Sequence, residues 1–158
     1  MKRKIILFVL WLCAVAWLIL CLYLSWQTGE ETSVGLSWKI TQLCLMLLKL
    51  LGVQIEAQTL HMQIRLAAHF GVFFIAGVLF AGAFAATFDQ TMHRYRNSFL
   101  AALAVSAAAS ILAEIYKLNI PGRHLQWNET GLNVIGGIAG VILVQLVYIR
   151  IRKKLNSR

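Results

Sequence analysis

Arg65 and His69 stand four residues apart, so a helix would carry both on one face. Ser106, Ser110 and Glu114 step by four in the same way, a polar stripe that ends in a carboxylate, and Glu129 and Asn133 are one turn apart. Arg123 follows Pro121-Gly122, a pair that forces a tight change of direction and presents the guanidinium. Gln27 adds an amide just past the first apolar stretch. Two guanidinium forks suit phosphate or carboxylate. Glu114 and His69 could orient such a ligand or exchange protons with it, while Glu129 and Asn133 could fix Arg123 and its loop. The same residues also have a plain structural reading: Arg65 and Arg123 paired with Glu114 and Glu129, and Glu129 set against the positive end of a helix. His61, His69 and Glu114 lack the spacing of a metal site, so no metal and no cofactor is expected.

What must position these groups is a set of four apolar stretches, residues 5–24 and about 67–88, 98–115 and 131–149. Each is long enough to cross a bilayer as a helix, which takes roughly 17–25 residues. With 59% hydrophobic and 13% charged residues among 158, the chain is wrong for a soluble domain. The predicted fold is all-α: a four-transmembrane-helix bundle forming a single domain over 1–158. Leu36, Ile40, Leu43, Leu47 and Leu50 recur at helical spacing between the first two spans. They predict an extra interfacial helix over about 36–51, with a re-entrant hairpin as the competing reading. Residues 53–64 read as a polar lead-in to the second span.

The net charge of +9 is distributed along the chain in a way that argues against nucleic acid. Lys2, Arg3, Lys4, Arg94, Arg96, Arg150, Arg152, Lys153, Lys154 and Arg158 fall on the side of the termini. Lys39, Lys49, Arg65, Lys117 and Arg123 fall on the other. The lysine and arginine excess sets orientation, which predicts a multi-pass cell-membrane protein with both termini cytoplasmic. The polar constellation is then extracytoplasmic, and costly ionisable groups at membrane depth point to a functional site. The first stretch is longer than a signal-peptide core and lacks an A-x-A cleavage pattern, so it reads as an uncleaved anchor. Cys13, Cys21 and Cys44 fit packing better than disulfides. The alanine-rich third span allows close neighbours. The G-x-x-x-G of Gly136 and Gly140 suits either an intramolecular partner or a homodimer.

Ser25-Trp26-Gln27-Thr28-Gly29 is similar to the S-x-Q-x-G signature of the VanZ-like family, and Arg65-Leu66-Ala67-Ala68-His69 to its R/K-x-x-x-H segment. Glu114, Arg123, Glu129, Asn133 and Gly136 reproduce its spacing E-x₈-R-x₅-D-x₃-N-x₂-G. The chain resembles that family over most of its length. It departs at Ala113, where the family commonly has Asp, at Lys117 (Gln), at Glu129 (Asp) and at Phe73 (often Tyr). The resemblance implies a cell-envelope protein associated with lowered susceptibility to teicoplanin-type glycopeptide antibiotics, without implying a reaction.

Taken together, the expected function is an extracytoplasmic-face pocket for an anionic, lipid-linked or cell-wall-related ligand. Arg65, His69, Glu114, Arg123, Glu129, Asn133 and Gln27 would bind it, with membrane lipids or lipid-linked cell-wall intermediates as partners. The alternative is an intramembrane hydrolase or transferase using Glu114 and His69 as catalytic acid and base. A transporter fits less well, because only Ser106 and Ser110 lie deeper in the bundle.

Overall fold

A computed structural model of the chain describes residues 2–26, 35–88, 92–120 and 126–156. It contains five helices and, among the described residues, no strand: α1 (Lys2–Trp26), α2 (Leu36–Leu50), α3 (Ala57–Thr87), α4 (Met92–Lys117) and α5 (Trp127–Asn156). Four of them carry apolar stretches long enough to cross a membrane: Arg3–Ser25, Ala57–Thr87, Arg96–Lys117 and Trp127–Ile151. The chain is a multi-pass membrane protein. The helices run past the predicted spans at nearly every end. Residues 57–64, read above as a lead-in, are the first two turns of α3. At about 1.5 Å per residue its 31 residues reach about 46 Å, against a hydrocarbon core of about 30 Å, so polar turns can stand clear of the lipid.

Helix α3 is the centre, packing against each of the other four helices. Its most extensive partner is α5, and glycine is the reason. A Cβ added at Gly136 or Gly140 would run into the carbonyl oxygens of Phe70 or Phe74, and one at Gly77 into that of Gly137. The backbones therefore meet with no side chain between them. This is the intramolecular use of the G-x-x-x-G face. It is not open to a second copy while the two helices stay packed, so a homodimer through Gly136 and Gly140 would first need them to part.

Alanine does on α4 what glycine does on α5. Ala102, Ala109 and Ala113 are buried, the last two in one cluster with Ala14, Cys21, Phe73, Ala76 and Phe80. Helix α1 joins that cluster and is tied to α3 by two indoles: Trp17 Nε1 donates to the Val72 carbonyl at 2.9 Å, and Trp11 Nε1 to Thr87 Oγ1 at 3.0 Å.

Helix α2 is one continuous helix of 15 residues, not a hairpin. Thr41 Oγ1 and Ser37 Oγ lie 3.1 and 3.4 Å from His61 Nδ1, and the Trp38 ring meets His61 edge-on, docking α2 on the start of α3. The other face of α2 exposes Leu43, Met46, Leu47 and Leu50, as an interfacial helix should. It ends at Gly52, whose φ of 76° lets Gly52 N–H and Val53 N–H return to the Lys49 and Leu48 carbonyls.

Candidate functional site

The inward face of α4 is a line of residues four apart, Ser98, Ala102, Ser106, Ser110 and Glu114, all buried. One turn beyond Glu114 the helix ends at Lys117, which turns back into the bundle. Its ammonium lies 2.6 Å from Glu114 Oε1 and 2.9 Å from Glu129 Oε2. Glu129 sits in the first turn of α5, where the helix dipole favours a carboxylate. One turn on, Asn133 Nδ2 donates to Glu114 Oε1 at 3.0 Å, and its Oδ1 faces His69 Nδ1 at 3.2 Å. His69 Nε2 lies 3.3 Å from Glu129 Oε2. Arg65 closes the ring, with Nη2 2.8 Å from Glu129 Oε1 and 3.3 Å from Gln126 Oε1.

Burial separates two layers. Glu114, Lys117, Glu129 and Asn133 are 1%, 2%, 2% and 0% exposed. The side chains of Arg65 and His69 are 36% and 21% exposed. Two carboxylates and an ammonium in low dielectric lean on one another, because each charge without its counter-ion would carry a large desolvation cost. The buried Ser106 Oγ, Glu114 Oε2, Glu129 Oε1 and Arg65 Nε have no hydrogen-bond partner among the described residues, so Arg65 meets Glu129 Oε1 as an ion pair by distance alone.

His69, Glu114 and Glu129 offer donor atoms within 4.8 Å of one another, the reach of a single cation. In this fold the cation is the Lys117 ammonium, bonded to both carboxylates.

Arg65 and His69 also face outward, into a groove of about 260 Å³ between α1, α2 and α3. Its other walls are mainly apolar, among them Cys21 and Leu24 of α1, Ile40 of α2, and Ile64, Val72 and Phe73 of α3. From Arg65 to Phe73 the groove follows α3 for about 12 Å, most of the roughly 15 Å depth of one leaflet's hydrocarbon.

Five of the seven residues named from sequence, Arg65, His69, Glu114, Glu129 and Asn133, thus meet in one cluster. Gln27 and Arg123 lie outside the described residues. The pairing of Arg65 with Glu129 is present, whereas the counter-ion of Glu114 is Lys117, which sequence reasoning passed over. Its signal was the i,i+3 spacing from Glu114, which places the two on one helix face. Glu114 and His69 do not pair directly; Asn133 bridges them.

No curated protein and no solved structure matches the chain. The sequence model of the VanZ/LLP1 family matches residues 8–148, which reach into all four spans and include every member of the cluster, and the chain therefore belongs to the VanZ/LLP1 family.

Proposed function

We propose that this is a cell-envelope protein that binds an anionic, lipid-linked ligand at the extracytoplasmic end of its bundle. The observation that carries the reading is the groove, an apolar slot of single-leaflet depth with a guanidinium and an imidazole at its polar end. A hydrocarbon chain would lie against Ile64, Val72 and Phe73, and the headgroup would meet Arg65, whose planar fork suits phosphate or carboxylate. Glu129 and Asn133 hold Arg65 and His69 from behind, and Lys117 and Glu114 brace those in turn. The lysine and arginine bias supports the outward orientation.

A cell-wall lipid intermediate belongs to this ligand class, and sequestering or altering one would link the protein to glycopeptide tolerance of the teicoplanin type. The hydrolase reading gains no such support, because His69 Nδ1 is hydrogen-bonded to Asn133 rather than to Glu114, and Glu114 lies behind Lys117.

Binding of dodecyl phosphate to the detergent-solubilised chain tests the reading, with dodecanol as the neutral comparison. The phosphate binds and the alcohol does not. Arg65→Ala weakens binding at least tenfold, the scale of one charge-assisted contact of about 1.5–3 kcal/mol. Equal binding of both probes, or an unaffected Arg65→Ala variant, sinks the proposal.

A further inference from the structure

The groove between α1, α2 and α3 has a floor, and the residue that makes it is Trp17. Trp17, Cys21 and Ser25 step by four along α1, so they share one face of that helix. Ser25 and Cys21 line the groove, and Trp17 lies one turn deeper. There its Nε1 donates to the Val72 carbonyl at 2.9 Å, tying α1 to the turn of α3 that supplies the last groove residues, Val72 and Phe73. The Trp17 ring packs against the cluster that holds Ala14, Cys21, Phe73 and Ala76, so the bundle is closed below the groove. Its side is open instead. Helices α1 and α2 both pack on α3 and, among the described residues, not on each other.

Length and volume decide what fits above that floor. An extended hydrocarbon advances about 1.25 Å per carbon, from C–C bonds of ~1.52 Å meeting at ~111°. The span of about 12 Å from Arg65 to Phe73 therefore matches about ten carbons. A methylene fills about as much space as a water in the liquid, roughly 30 Å³, so the groove's volume of about 260 Å³ holds about nine. The two measures agree on one chain, and a second chain of that length would need twice the space. At the polar end Arg65 Nη2 donates to Gln126, while Nε has no partner among the described residues, so the guanidinium keeps donors for an oxyanion.

We propose that the groove takes one hydrocarbon chain of an anionic amphiphile, that it encloses about ten carbons of that chain, and that Trp17 sets the limit. Further carbons, or a second chain, leave through the gap between α1 and α2 into the surrounding lipid. Trp17 touches neither the headgroup nor Arg65; it determines which chain lengths end inside the protein. The inference rests on the function proposed above and adds the shape of its ligand.

The probe is decyl phosphate with a diazirine on its last carbon, bound to the full chain in detergent and photolysed. Mass spectrometry then finds the label on Trp17, Val72 or Phe73. The hexadecyl analogue carries its carbene out through the gap and loses the Trp17 label; equal labelling of Trp17 by both probes overturns the limit. Didecyl phosphate with a diazirine on each chain leaves one adduct at the floor, and two there on one molecule overturn the single chain. In Trp17→Leu the floor drops, so the label of a dodecyl probe shifts to Ala14 and Ala76. Trp17→Phe, which loses the hydrogen bond and keeps most of the ring, leaves those alanines unlabelled. The same shift in both variants overturns the role of the ring. Should Trp17→Leu not fold, the decyl and hexadecyl probes on the parent chain still decide the limit. If dodecyl phosphate binds no better than dodecanol, the ligand reading itself falls, whereas preferred binding with the label elsewhere sinks only this inference.

Discussion

Lys117 holds two carboxylates apart at the end of α4, and taking it away would leave Glu114 and Glu129 as close, buried like charges. Breaking a buried pair by removing one partner costs about 3–5 kcal/mol, so Lys117→Met should lower the unfolding midpoint by several degrees. Adding Glu114→Gln should restore part of that loss, since one uncompensated charge goes with it; a fully additive loss in thermal unfolding would show that the two residues are not coupled. The constellation itself was largely legible from sequence, because four-residue spacing on a helix is a geometric statement wherever the helix lies. Lys117 was not. A lysine just beyond an apolar run reads as a rim charge reaching towards water, and only the chain's return through α5 encloses it.

Helix pairing is decided by what fills the space between backbones. Gly140→Ala would drive a methyl group into the Phe74 carbonyl and the Val78 amide, which cannot rotate away. Gly137→Ala would meet the Ser106 hydroxyl, which can. We expect the first to cost about 1–3 kcal/mol. The second should stay within about 1 kcal/mol, with alanine's better helix propensity offsetting the contact. Parallel unfolding curves of the two variants check this, and equal losses would contradict it. The G-x-x-x-G face was visible in the sequence, whereas Gly77, which meets the adjacent Gly137, was lost among the other small residues of α3. Helix ends were also hidden: Gln58, His61 and Gln63 look like loop residues, yet α3 continues through them because α2 docks on that stretch. At Gly52, alanine should cost about 1–2 kcal/mol through its positive φ alone, with no contact disturbed.

Four crossings return the chain to the side on which it began, so the basic residues of both ends gather there. In a background with Cys13, Cys21 and Cys44 replaced by Ala, Gln54→Cys should react with a membrane-impermeant thiol reagent on intact cells. Lys153→Cys should react only after permeabilisation, and the reverse pattern would place the groove on the cytoplasmic side. Between these surfaces, α1 is the least enclosed of the four spanning helices. Lipid tails match its apolar side chains as well as protein does, which leaves the Trp11 and Trp17 indoles as its directional ties among the described residues. They make the helix a latched door. Replacing both tryptophans with phenylalanine keeps the bulk and unfastens the latch, so the wall bearing Cys21 and Leu24 could swing out and admit amphiphiles too broad for the closed slot.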